Sequence, residues 1–332
     1  MTKGIQQSNN FYPACLAIAG MLLLFSAGLS GQAAASGVST LMNRPPNVPE
    51  EYVITPFGYF HPSCVQMLAE GNTLLADGRV EHPDGTIEAA PVCDYPHYTS
   101  TGLTVPVDPK ELREMNPLVI NGWLESVSVT TANSYGKITA TWTVPPSPTS
   151  NDGQCDYFFP GFEDINNVIS ILQPVMQWGP GCYISGGANW LIASWNCCIS
   201  GTNWYSSPID VNVGDKIQGT ITPTCKPGQN YCATWNVVSK DVTTGKKTTL
   251  AKTPADGQVW NWAFGAVTED YGVVQCSDFP DNSGLTFTVH VYDQNRKVIS
   301  NPSWQATQWI QNPNPNCNYG TTITKTKETV KY

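Results

Sequence analysis

The sequence predicts an all-β fold, a two-sheet antiparallel β-sandwich with a small N-terminal β-appendage. Charged residues are only 13% of the 332, about half the usual ~25%, while Trp, Gly, Pro, Thr and Asn are abundant. That composition disfavours a helical bundle. Residues 118–300 form a series of strand-like runs separated by turn residues, with no helical period between them, which is the signature of a sandwich. Within it, "KITATWTV" alternates cleanly. Ile138, Ala140, Trp142 and Val144 take one face, and Thr139, Thr141 and Thr143 take a face that is polar but uncharged.

Residues 1–35 read as a secretory signal. Lys3 is their only basic residue, "ACLAIAGMLLLFSAGLS" supplies the apolar segment, and "AAAS" offers cleavage after Ala35. The apolar run falls short of the ~20 residues that span a bilayer, so no membrane association is expected after cleavage. Residues 36–117 form an appendage or pro-region. It contains "NTLLADGRVEHPDGTIEAA", with two Asp-Gly turn signals, and ends in "VPVDPKELREMNP", the one short helical hint. The sandwich follows at 118–300. In it, "VSKDVTTGKKTTLAK" reads as a hairpin turning at Thr244-Gly245. Residues 301–332 read as a loop or edge strand and tail tied by Cys317.

Of the eleven cysteines, Cys15 lies in the leader and ten remain. An even count in a secreted chain points to disulfides. Cys64 with Cys93 and Cys225 with Cys232 are expected pairs, each bracketing a turn-rich stretch, while the adjacent Cys197 and Cys198 are expected to have separate, distant partners. Finger-type zinc spacing is absent. The net charge of −9 argues against a nucleic-acid or anionic-membrane partner.

The chemistry is narrowed by exclusion. The sequence has no G-x-S-x-G elbow, H-E-x-x-H, P-loop or dinucleotide fingerprint. His290, in "TFTVHVYD", reads as a strand residue. Carboxylates and amides remain. In "ILQPVMQWG", alternation sends Leu172, Met176 and Trp178 to one side and Gln173, Val175 and Gln177 to the other. A glutamine amide donates and accepts at any pH, which suits an oxyanion or a sugar hydroxyl. Ordinary cross-strand hydrogen bonding explains the two glutamines as well, and Pro174 inside the run is a warning against a central strand. Glu163 ends "FFPGFE", and Glu269 sits in the aromatic-rich "WNWAFGAVTEDYGVV", sharing a face with Gly265, Val267 and Tyr271. A carboxyl among aromatics has a raised pKa and can serve as general acid or base. Equally, Glu269 can be a strand-end residue facing water beside Asp270.

Over roughly residues 120–290, the order "TATWTVPP", "FFPGFED", "ILQPVMQWG", "WLIASWN", "SSPIDVNVGDKIQGTIT", "VTTGKKTT" and "EDYGVV" resembles the glutamic peptidases called eqolisins. The resemblance implies a concanavalin A-like, jelly-roll sandwich and a Gln/Glu dyad on its concave sheet. There a Glu activates water and then protonates the leaving amine, while the Gln stabilises the oxyanion. Motif to motif, the Gln falls on Gln173 and the Glu on Glu269. An alternative register puts Gly265 at the Glu position and leaves the dyad incomplete, and Ser194 stands where the family's Trp-rich strand has an acid. Glu163, Gln177, Trp178 and Trp195 complete the expected substrate-binding set. The function implied is a secreted, acid-acting endopeptidase, monomeric, taking a polypeptide substrate, with no cofactor or metal and therefore insensitive to chelators. Two other functions stay open. One is a non-catalytic carbohydrate-binding sandwich with Trp190, Trp195 and Trp204 stacking on sugar rings. The other is a glycoside hydrolase, although the E-x-D-x-E spacing of such sandwiches is missing.

Overall fold

A computed structural model describes residues 44–105, 120–184 and 187–332. The expected leader and residues 106–117 of the helical stretch lie outside them. The described residues belong to one compact unit. The first described stretch holds eight short strands: β1 (Val53–Thr55), β2 (Gly58–Phe60), β3 (Val65–Leu68), β4 (Thr73–Leu74), β5 (Val80–Glu81), β6 (Ile87–Glu88), β7 (His97–Tyr98) and β8 (Thr104–Val105). The two Asp-Gly turns connect β4, β5 and β6 into a three-stranded sheet, and β1, β2, β7 and β8 form a second small sheet.

The longer strands follow: β9 (Ile120–Thr130), β10 (Lys137–Thr143), β11 (Cys155–Glu163), β12 (Ile171–Trp178), β13 (Trp190–Ile199), β14 (Thr202–Ser206), β15 (Ile209–Val211), β16 (Lys216–Pro223), β17 (Thr234–Asp241), β18 (Lys247–Pro254), β19 (Trp262–Val273), β20 (Leu285–Tyr292), β21 (Gln305–Gln308), β22 (Gly320–Ile323) and β23 (Lys327–Lys331). They build a nine-stranded sheet, β21-β9-β19-β11-β12-β13-β14-β3 with β15 beside β13, and a seven-stranded sheet, β18-β17-β16-β10-β20-β23-β22. The all-β sandwich is therefore observed. Residues 301–332 contribute more than an edge strand, because β23 sits between β20 and β22 inside the smaller sheet.

The inner faces of the two sheets bury Leu124, Phe158, Phe162, Leu172, Met176, Trp178, Trp190 and Trp204 against Ile138, Ala140, Trp142, Ile217, Trp235 and Phe287. In β10 the alternation holds, with Ile138, Ala140 and Trp142 buried and Thr139 and Thr141 half-buried. β11 and β12 are buried at every residue, because the outer face of the nine-stranded sheet is covered as well. Tyr157, Phe159, Ile171, Val175, Trp195, Val267 and Tyr271 on that face pack with Val48, Tyr52, Ile54, Tyr59, Phe60 and Val65 of the appendage. Pro174 does occupy a central strand. It is accommodated where the facing β16 carries Gly219, whose added Cβ would lie 2.5 Å from Pro174 Cγ and 3.2 Å from Pro160 Cγ.

Disulfides join Cys64–Cys93, Cys155–Cys182, Cys225–Cys232 and Cys276–Cys317. The expectation of separate partners for Cys197 and Cys198 is overturned: the other eight cysteines are paired among themselves, and these two neighbours pair with each other. Among the described residues no helix is long and apolar enough to cross a membrane, and no group of three or more His, Cys, Asp or Glu could hold a metal ion.

A set of carboxyls lies at one end of the sandwich, away from the outer face. Asp156 on β11 pairs in register with Asp270 on β19, and both are fully buried. Burial pushes both well above the usual carboxylate range, reinforced at Asp156 by the charges of Asp270 and Asp278 and at Asp270 by those of Glu269 and Glu125. Glu125, on the neighbouring β9, is pushed up to about 7 by burial, and Glu328 on β23 up to about 8.

Candidate active site on the covered sheet face

The outer face is built from β19, β11, β12 and β13, which are adjacent although β19 is distant in sequence. Strand alternation brings Gln173, Val175 and Gln177 to this face, opposite Leu172, Met176 and Trp178. Gln173 is fully buried, and its Nε2 donates to the main-chain carbonyl of Pro56 at 2.5 Å. Pro56 and Phe57 form the two-residue turn between β1 and β2. The amide of Gln177 is also buried and has no hydrogen-bonding group of the protein on either its oxygen or its nitrogen.

Glu163 and Glu269 both lie on this face and both are almost fully buried. Glu163 pairs with Ile171 across β11 and β12. Gln173 is therefore its diagonal neighbour, roughly 7–8 Å away at the backbone. Glu269 pairs with Tyr157, which pairs with Gln177. Register thus places Glu269 level with Gln177, two strands across from β12 and four residues along it from Gln173. Flat-sheet spacing makes that about 13 Å along the strand and about 10 Å across.

Glu163 nevertheless senses the charge of Glu269. Burial first, and then the charge of Glu269, push Glu163 up to about 8. Burial also pushes Glu269 up to about 8, against hydrogen bonds from Tyr271 and Trp123 that favour its charged form. The Tyr271 hydroxyl donates to Glu269 Oε1 at 2.6 Å. Two buried carboxyls, two amides and the phenols of Tyr157 and Tyr271 thus share one face, with no basic side chain among them. They can pass protons and hold a carbonyl oxygen.

Three expectations need correction. Trp178 packs between the sheets, so it cannot line this face. Gly265 does not share the face of Glu269. A bulge between Phe264 and Ala266 displaces it, and its added Cβ would meet Trp304 and Val289 of the sandwich interior. Phe264 takes the outward place instead. Of the tryptophans expected to stack on sugars, Trp190 and Trp204 lie in the inter-sheet core and Trp195 is buried beneath the appendage against Tyr205, leaving none of them open to a sugar ring.

The chain resembles the glutamic peptidases. Scytalido-glutamic peptidase, solved with a peptide-based transition-state analog, superposes with a TM-score of 0.46 at 17% identity, over 64% of this chain and 98% of that one. SCP-B, a member of the eqolisin family solved in complex with the tripeptide Ala-Ile-His, gives 0.45 at 17% identity over the same shares. No protein-family profile matches the chain, and no curated protein matches it. At that depth of likeness, the case for an activity rests on the site itself.

Sequence reasoning missed Tyr157, Trp123 and the Pro56 turn. Tyr157 and Trp123 become site residues only through the pairing of β11 and β9 with β19, which joins segments about a hundred or more residues apart. The one local signal was Tyr271, two residues beyond Glu269 on the same face.

Proposed function

We propose that the protein is a secreted, acid-acting glutamic-type endopeptidase that works without a metal. The observation that carries this reading is the hydrogen bond from Gln173 Nε2 to a main-chain carbonyl lying on the outer face, where a scissile carbonyl would sit. In the mechanism, Gln173 donates to the carbonyl oxygen and holds the oxyanion as it forms. Glu163, its diagonal neighbour, takes a proton from the attacking water and returns it to the leaving amine. Glu269, held by Tyr271 and Trp123, sets the charge felt by Glu163 and is the second candidate for the base. Gln177 and Trp195 line the substrate's path. In the covered state both carboxyls are held protonated by burial. Solvent or substrate reaching the face relieves that burial and returns them toward the ordinary range, where one is ionised at acid pH. Disulfides and the N-terminal leader expected from the sequence suit an oxidising, extracellular setting.

The test is hydrolysis of an acid-denatured protein at about pH 3 to 4. Glu163→Gln should reduce the rate by about 10³-fold or more, and Gln173→Ala by about 10²–10³. Glu269→Gln should leave measurable activity with a displaced pH profile. If Glu269→Gln is the inactive variant instead, the base is Glu269. Full activity in both glutamate variants ends the peptidase reading.

A further inference from the structure

The appendage does more than cover the face. β1 and the turn that follows it lie over the face, and two of their carbonyls, two residues apart, are gripped by side chains of the sandwich. The Tyr157 hydroxyl donates to Ile54 O at 3.1 Å, and two residues on, Gln173 Nε2 donates to Pro56 O. The backbone N–H of Tyr183 adds a second bond to Ile54 O at 3.2 Å. Asn203 Nδ2 fixes the residue between by donating to Thr55 Oγ1 at 3.0 Å. Main-chain carbonyls held at every second residue are how a sheet face holds a peptide regardless of its side chains. Covalently, the appendage is cross-linked only to itself. Cys64 pairs with Cys93, and the other four disulfides lie within the sandwich.

We infer that the β1–β2 turn is a built-in pseudosubstrate: residues 53–60 occupy the peptide site of the sandwich, present the Pro56–Phe57 bond to Gln173, and keep the site closed to other polypeptides. This rests on the peptidase reading for what the site does, though not for what occupies it. The turn is seated by Gly58, whose φ is +104° and whose added Cβ would lie 2.3 Å from the Tyr98 carbonyl. No other residue type fits there without moving the turn. The ligand class is accordingly a peptide turn that binds through its main-chain carbonyls.

Gly58→Ala unseats the turn without touching the sandwich, and Thr55→Val removes the hydroxyl that Asn203 holds while preserving volume. A fluorescently labelled peptide with the sequence of residues 53–60 is the probe, read by anisotropy against the full chain, and hydrolysis of denatured protein is read in parallel. The expected result is that both variants bind the peptide at least about tenfold more tightly than the parent, because apparent affinity scales with the open fraction, and that they hydrolyse protein correspondingly faster. If neither variant gains affinity for the peptide, the inference is overturned. If both gain affinity while no form hydrolyses protein, the pseudosubstrate stands as the ligand of a binding site and the peptidase reading falls. Thr55→Val keeps the test intact should Gly58→Ala not fold.

Discussion

The protein should lose stability steeply as pH rises from about 5 to about 8, by on the order of 5 kcal/mol, or more than roughly 10 °C in Tm. Glu163 and Glu269 are fully enclosed with values near 8, and Asp156 and Asp270 are held well above the ordinary range. In the unfolded chain all four ionise near pH 4. A group whose folded pKa exceeds its unfolded value contributes stability that is fully present below the unfolded pKa. That contribution is lost as pH climbs to the folded value. Here the window runs from about 4 to about 8. Glu125, pushed up to about 7, and Glu328, pushed up to about 8, act in the same direction. One group runs the other way. His97 is half-buried, stacked on Phe60 with ring centroids 4.0 Å apart, and held down to about 4 by desolvation. Its contribution is present above about 6.5 and is lost as pH falls to about 4. Maximum stability is therefore expected on the acid side of neutrality, near pH 4 to 5. Thermal unfolding across the range checks this, with Asp270→Asn as a control expected to flatten the curve. A Tm that rises between pH 5 and 8 would refute the protonated state of these carboxyls.

Gly219→Val should abolish folding at ordinary temperatures, and even Gly219→Ala should cost about 2–3 kcal/mol. The two sheets approach closely where β16 crosses the prolines of β11 and β12. A methyl group at Gly219 would come within 2.5 Å of Pro174 Cγ, 3.1 Å of its Cβ and 3.2 Å of Pro160 Cγ. Proline rings inside central strands cannot rotate away, so relief requires the sheets to part. The comparison is Gly245→Ala in the β17–β18 hairpin. No atom lies within 4 Å of the added methyl there, and only the φ of +81° opposes it, for a cost of about 1 kcal/mol. Soluble yield and Tm of the three variants read the difference directly. Equal costs at the two sites would show that the sheets are not in close contact at Gly219.

How much of this could be read from the sequence depended on how many faces of a strand are buried. β10 has one face turned from the core, so its Thr/apolar alternation was plain. β11, β12, β13 and β19 are covered on both faces, so runs such as "CDYFFPGFE" carry large apolar residues on both sides and show no plain alternation to mark the second cover. Alternation still sorted Gln173 and Gln177 from Leu172 and Met176, because a strand's geometry is local. It failed at Gly265, where a bulge breaks the period of two. The neighbours of Glu269 were hidden for another reason. They depend on β19 lying between β9 and β11, a topological fact that no short window contains. Lys327–Lys331 misled by composition. Its charged and polar residues read as a tail, yet alternate ones are buried, Glu328 and Val330 among them.

β3 has a consequence of its own. It runs parallel to β14 as the last strand of the nine-stranded sheet, with Val65 to Leu68 paired to Asn203 to Ser206. An appendage that swings off the outer face takes this strand with it and leaves β14 as a bare edge, its N–H and C=O groups unmatched. Exposed edges of that kind recruit other strands. The sandwich without its appendage therefore has a surface for pairing with a second copy of itself, so residues 44–105 guard against self-association as well as covering the outer face.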